Sequence, residues 1–358
     1  MTKTRRKQRK RLWSLLRFTI FLLLVIISSV FALNKLIFKD ETNNNVVVIP
    51  QGIITILNLD ADTELPIKNS EFTITATESG EVVEVLYTNE EGKVISKPLD
   101  YNTHYSIIQT MAPEPYKISK EETRIEITVE DYQVVVKNNL YSHVKDTQRL
   151  EDGTIRITKV DMPVEVLMQN PELPNGCEIT SLTAVLNYKG YGVSKTEMAD
   201  KYLPKEPFVR KGDRLIGANP YKAFAGNPRE ISGFFVYAPP IVEATNHYLK
   251  HVNEDPRAKD VSGSTMKELL RYLDKGIPVV TWVTLDLSKP KLNYSWYLSD
   301  TGENFIAPIN LHAVVLKGYD TKNVYYMDPL QGNLARSMVD FFQSYYELGM
   351  HAVIVAAN

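Results

Sequence analysis

One cysteine, Cys177, is the whole thiol inventory of this 358-residue chain. Intramolecular disulfides and cysteine-cluster metal sites are therefore excluded as the framework of its fold. The 44% apolar and 23% charged residues are the balance of a globular protein, not a disordered one. At this length two domains plus a targeting segment is the natural expectation. A net charge of −2 gives no global electrostatic argument for a nucleic-acid partner.

The basic residues are unevenly placed. Lys3, Arg5, Arg6, Lys7, Arg9, Lys10, Arg11 and Arg17 crowd the first seventeen positions with no acidic residue among them. From Phe18 to Leu33 the sequence FTIFLLLVIISSVFAL carries no charge, and Leu36, Ile37 and Phe38 prolong it. A bilayer span takes roughly 20 apolar residues, so 18–38 is expected to be a transmembrane signal anchor. The basic block 1–17 is its cytoplasmic topology signal rather than a nucleic-acid patch. A cleaved secretory signal is the competing reading, since Val30-Phe31-Ala32 fits a small-residue cleavage site. The apolar run is long for a signal h-region of ~7–15 residues, which favours the anchor. Either way the remainder is exported: single-pass with the C-terminal part extracellular, or secreted. An exported free cysteine needs burial or a catalytic role to account for it.

Residues 39–50 are polar and Asn-rich, as a short tether is. The period then changes. Ile53–Asp60, Phe72–Ala76, Tyr105–Gln109 and Arg124–Val129 are short β-branched or alternating runs broken by turns such as Asn89-Glu90-Glu91-Gly92-Lys93. Short strands at this density predict a small β-sandwich over 51–131. The order Gly52-Ile-Ile-Thr-Ile, Asp60, Leu65-Pro66-Ile67 with Phe72, Thr88-Asn89-Glu90-Glu91-Gly92, then Tyr105 through Ala112-Pro113-Glu114-Pro115-Tyr116 resembles a prealbumin-fold domain of the SpaA or Cna-B kind. Such domains are stalk modules of Gram-positive surface proteins, and the resemblance implies a spacer, with an adhesive ligand-binding module as the alternative. Many relatives carry a Lys–Asn isopeptide crosslink promoted by a carboxylate. Here Asn58 stands in place of the lysine and Gln109 in place of the glutamate, so no isopeptide bond is expected.

After a connector at 132–160, helix- and strand-like pieces alternate over 161–358. Gln169 to Gly176 leads into Cys177, and Ile179, Leu182, Val185 and Leu186 then fall on one helical face before Gly190. Cys177 therefore sits at a helix N-terminus, where the dipole and free N–H groups favour a thiolate and can stabilise an oxyanion. Asn310 to Asp320 reads as a buried strand, and Val324 to Pro329 as its returning partner. A short loop at Tyr319–Thr321 would set Leu316 opposite Val324 and His312 opposite Asp328, a pairing that orients an imidazole for general-base work. A lone cysteine at a helix start, a histidine about 135 residues on and an opposed aspartate follow the order of papain-like enzymes. Met266 to Val280 reads as a helix, a Gly276 stop and a core strand, with Met266 and the leucines in the core. Phe208–Tyr237, rich in Gly, Pro, Asn and aromatics, is expected to form a substrate-groove loop. No histidine cluster has metal-ligand spacing, and no cofactor is implied.

The stretches QNPELPNGCEITSL (169–182) and HAVVLKGYD (312–320), with Met327-Asp328-Pro329, resemble the peptidases that remove double-glycine leaders from bacteriocins, and more closely their stand-alone relatives in Gram-positive bacteria. The resemblance implies Cys177 as nucleophile, His312 as general base and acid, Asp328 as the orienting group and Gln169 as the oxyanion donor. Gln169 lies eight residues before the cysteine where about six is usual, which requires an extra turn. Leader-cutting members are fused to ABC transporters. Nothing here resembles a nucleotide-binding domain, so that substrate does not transfer with the fold.

The expected architecture is therefore multidomain: an N-terminal transmembrane helix, a small all-β prealbumin-like sandwich, then an α+β papain-like cysteine peptidase domain. The expected activity is acyl transfer on a peptide or cell-surface protein substrate. A transpeptidase using the same residues and a catalytically silent binding module are the alternatives.

Overall fold

A computed structural model describes residues 50–356. The basic block, the apolar segment and all but the last residue of the tether lie outside the described residues. Among the described residues no helix is long and apolar enough to cross a membrane.

The first domain is the expected sandwich, built from β1 (Gln51–Asp60), β2 (Glu71–Ala76), β3 (Val82–Tyr87), β4 (Lys93–Ile95), β5 (Leu99–Asp100), β6 (His104–Met111), β7 (Glu122–Glu126) and β8 (Asp131–Asn138). One sheet centres on β1, flanked by β4, β5 and β8; the other runs β3-β2-β6-β7. Ile54, Ile56, Phe72, Ile74, Ile107 and Ile127 close the space between them and are fully buried or nearly so. Four strands lacked a sequence signal. In β3, for instance, Val82, Val85 and Tyr87 are exposed, so its apolar residues do not mark a buried face.

The segment expected as a connector is strand throughout much of its length, which corrects that boundary. β8 pairs in parallel with β1 from Ile53↔Asp131 to Asp60↔Asn138. β9 (Val144–Arg149) and β10 (Ile155–Asp161) form a hairpin whose second strand joins the sheet of the next domain. Val134 and Val136 face the sandwich core, and Val135 between them, which masks the alternation, is exposed.

Asn58, Gln109 and Asn138 meet inside the first domain. Asn58 Nδ2 donates to Asn138 Oδ1 at 2.5 Å, Gln109 Nε2 donates to the same oxygen at 3.1 Å, and Asn138 Nδ2 donates back to Gln109 Oε1 at 2.6 Å. Three neutral amides satisfy one another where an amine and a carboxylate would be needed for a crosslink.

The second domain adds α1 (Cys177–Tyr188), β11 (Lys205–Glu206), β12 (Val209–Lys211), β13 (Arg214–Gly217), β14 (Phe224–Ala225), α2 (Ala238–His251), β15 (Ala258–Asp260), α3 (Met266–Asp274), β16 (Val279–Thr284), β17 (Leu292–Leu298), β18 (Asn304–Pro308), β19 (Leu311–Tyr319), β20 (Asn323–Asp328), β21 (Gly332–Ser337), α4 (Met338–Glu347) and β22 (Ala352–Val355). Its main sheet runs β15-β22-β16-β19-β10-β9, with β20 and β21 continuing from β19. A smaller sheet, β12-β13-β17-β18, stands beside it. Helix α1 is buried from Cys177 through Leu186, the signature of a helix enclosed by its domain. It ends just before Gly190, whose positive φ of 92° breaks the helix. Helix α3 carries a complete capping box between Thr265 and Glu268. Its leucines 269 and 273 are buried, whereas Met266, expected in the core, is exposed at its first position.

Candidate active site

Cys177 is the first residue of α1, after Gly176. It lies against β19, where that strand outruns its partner: the β19–β20 pairing ends at Val315↔Met327. Beyond that point the backbone of Ala313 turns to the helix. Its N–H donates to Cys177 Sγ, and its carbonyl accepts Ser181 Oγ–H at 3.0 Å. Helix α1 is thereby keyed to the residue next to His312.

His312 and Asp328 meet at 2.9 Å, Nε2 to Oδ1, and both are buried. Their register differs from the expected one. Tyr319 pairs with Val324 and Leu316 with Tyr326, with a bulge at Lys317, so His312 and Asp328 are diagonal neighbours rather than directly opposed. The strand runs on to Tyr319 because Asp320 caps the turn, accepting the N–H groups of Lys322 and Asn323. The bulge forms where Lys317 turns to Asp161 at 2.6 Å. Parity is conserved, so both side chains stay on one face.

Burial pushes the Asp328 carboxyl up, but the His312 hydrogen bond and charge and the N–H groups of Leu330 and Gln331 hold it below the usual carboxylate range. The bond through Nε2 leaves Nδ1 as the imidazole nitrogen available to a thiol.

Gln169 joins the same cleft. Its eight-residue separation from Cys177 is taken up by tight turns: Leu173 N–H bonds Gln169 O and Gly176 N–H bonds Leu173 O. Gln169 Nε2 donates to Pro174 O at 2.7 Å, while Oε1 is buried without a partner.

Gln169, Cys177 and His312 share a cleft of about 390 Å³ with Ile231, Phe234 and Tyr294. None of its described lining residues is Asp, Glu, Lys or Arg. The Phe208–Tyr237 excursion supplies one wall through Ile231–Phe235. That wall depends on Gly233, where a Cβ would meet Asn227 O at 2.2 Å. Phe234 stacks on Tyr294 across the cleft, centroids 5.0 Å apart.

The thiol state differs from the expectation of a depressed pKa. Burial, then the charge of Glu178, push the Cys177 thiol well up, against the Ala313 N–H that favours the thiolate. Glu178 is fully buried and accepts the Cys177 S–H on Oε2 at 3.3 Å. Its Oε1 accepts Val236 N–H at 3.0 Å. Desolvation pushes its carboxyl up to about 7. Sequence reasoning passed over this residue: an acidic side chain in the first turn of a helix is ordinary, and only its burial in the fold marks it out.

Residues 161–353 match the Peptidase_C39 like family over more than half of the chain. The chain belongs to that family. Residues 52–140 match the SpaA prealbumin-like fold domain. The Bacillus subtilis uncharacterized protein YvpB is 27% identical over 238 residues, 64% of this chain and 91% of that protein. A crystal structure of a protein from Bacillus anthracis, assigned to the C39-like peptidases, is 29% identical over 56% of this chain and 98% of that one, with a TM-score of 0.49. BcpA, the major pilin subunit of Bacillus cereus, is 21% identical over 25% of this chain and 30% of its own, with a TM-score of 0.24.

Proposed function

We propose that this member of the Peptidase_C39 like family is a cysteine peptidase, acting outside the cell on peptide or cell-surface protein substrates and held at the membrane by its N-terminal segment. The observation that carries this reading is the convergence of Cys177, the Asp328-oriented His312 and Gln169 on one cleft. His312 takes the thiol proton, and Cys177 Sγ attacks the carbonyl carbon of a peptide or isopeptide bond. Gln169 and the free N–H groups at the start of α1 face the developing oxyanion. The imidazolium then protonates the leaving amine as the C–N bond breaks. Water, deprotonated by His312, attacks the thioester and releases the acid and the free thiol. An uncharged cleft lined with aromatic and aliphatic side chains accepts substrate segments without charge beside the scissile bond.

One observation favours a second reading. The sulfur bonds to Glu178 and Ala313 in this structure, and its thiol is pushed up, as in a silent binding module on a peptidase fold. The test is labelling of the exported portion by an epoxide or iodoacetamide across pH 4–9, wild type against His312→Ala. Labelling that collapses in the mutant supports the peptidase. Labelling that ignores His312 and rises only near ~8.5, the unperturbed thiol value, supports the binding module. Product analysis with an added amine then separates hydrolysis from transpeptidation.

A further inference from the structure

Glu178 has no counterpart among the roles assigned to Cys177, His312, Asp328 and Gln169, yet its carboxyl touches the nucleophile. It occupies the second position of α1 and is fully buried. Its two oxygens face two different elements. Oε2 holds the Cys177 S–H at 3.3 Å, and Oε1 holds the Val236 N–H at 3.0 Å. Val236 directly follows the Ile231–Phe235 wall of the cleft, and its carbonyl in turn accepts Trp282 Nε1–H at 2.9 Å from β16. One side chain thus ties the nucleophile, the cleft wall and the central sheet together.

We propose that Glu178 is a positioning residue that governs the protonation of Cys177: as a carboxylate it retains the thiol, and as a carboxylic acid it supports the thiolate. This rests on the peptidase reading of the same cleft. The balance of the step is simple. In the resting form the carboxylate accepts the S–H hydrogen. When Glu178 takes one proton from solvent, its O–H becomes a donor to sulfur, and the thiol proton passes to His312 Nδ1. The result is an imidazolium and a thiolate flanked by a neutral acid and the Ala313 N–H, with one proton gained overall.

The geometry fits this exchange. Two adjacent anions out of water repel strongly, so a thiolate beside ionised Glu178 is disfavoured. The titratable groups buried on the elements packed around the clasp are Cys177 itself, His312, Lys317 and Tyr319 on β19, Asp328 and Tyr326 on β20, Tyr248 on α2, and Tyr237 with His351 stacked on it behind Val236, whereas Glu243, His247, Lys250 and His251 of α2 are exposed. The one buried lysine among them, Lys317, is tied to Asp161 at 2.6 Å, and among the described residues no lysine or arginine pairs with Glu178, so proton uptake is the available route to neutralise the carboxylate. Its pKa, raised by burial to about 7, puts that uptake near neutrality.

The experiment is the iodoacetamide labelling rate of the full chain between pH 5 and 9 for wild type, Glu178→Gln and His312→Ala. Gln can still accept Val236 N–H and donates to sulfur in every protonation state. Wild-type labelling should rise as pH falls from 8 to 6. At pH 8 a group titrating at about 7 is ionised in roughly nine of ten molecules, so Glu178→Gln should label about tenfold faster there than wild type. A Gln variant with the wild-type profile overturns the proposal. So does a wild-type rate that climbs steadily to pH 9, a result that needs no variant to fold. Collapse of labelling in His312→Ala with no effect of Glu178→Gln removes this inference alone. Indifference to His312 removes the peptidase reading beneath it.

Discussion

Oδ1 of Asp328 holds Nε2 of His312 at 2.9 Å and, on the same oxygen, the backbone N–H groups of Leu330 and Gln331 at 2.7 and 3.2 Å. Three donors on one buried oxygen fix both the carboxylate and the ring that leans on it. Asp328→Asn keeps the volume but can present an N–H to those donors. We expect it to slow His312-dependent labelling of Cys177 by about 10²-fold or more, in the range by which positioned acid–base groups act. A labelling time course on folded protein checks this.

Gln169 should separate binding of a probe from turnover. On the peptidase reading, Gln169→Ala removes the amide assigned to the oxyanion but leaves Cys177 and His312 in place. Peptide turnover should fall by about 10²-fold, while the rate of alkylation by iodoacetamide, which forms no oxyanion, should change little. Equal loss of both would show that Gln169 supports the fold of the cleft instead.

Stability should carry the imprint of Glu178. Its folded pKa is raised by burial from 4.5 to about 7, so the folded state binds the extra proton. The associated stability is fully present below about 4.5 and is lost as pH rises toward 7. A shift of this size corresponds to roughly 3 kcal/mol. Glu178→Gln should flatten the pH dependence of urea unfolding between pH 4.5 and 7 and be the more stable protein at pH 8.

The amide cluster of the first domain makes a chemical prediction. With Asn58 and Gln109 where a crosslink needs an amine and a carboxylate, the intact mass should equal that of the sequence, with no loss of ammonia. Asn138→Ala should destabilise the domain by about 1–3 kcal/mol, since it strands buried amide groups of both partners.

Gly233 supports the cleft wall by close approach. Gly233→Ala places a methyl against Asn227 O, and either the Asn227–Glu230 turn or the Ile231–Phe235 wall must move. Slower labelling of Cys177 with a small drop in Tm is the expected outcome.

The residues explain what could be read in advance. Helix α1 was legible because its apolar positions and the Gly190 stop are local signals, and the β1, β2 and β6 runs alternate over a buried face. Cys177, His312, Asp328 and Gln169 could be named from motif order. Their geometry could not be. The His312–Asp328 register depends on a bulge set by Lys317 reaching Asp161, a contact across more than 150 residues. β8 was hidden because its pairing with β1 is parallel and distant, and the exposed Val135 between Val134 and Val136 obscures the alternation. Glu178 gave no separate signal, since an acidic residue in the first turn of a helix is ordinary until burial on every side is known.

The parallel pairing of β1 with β8 also sets how the first domain answers force. These are its first and last strands, and they run the same way over eight residue pairs. The chain therefore enters at one end of the pair and leaves at the other. Tension along the chain pulls the two strands past each other, straining all of their hydrogen bonds together instead of opening them one at a time. With amides in place of a covalent bolt, the domain resists stretching by this shear geometry alone.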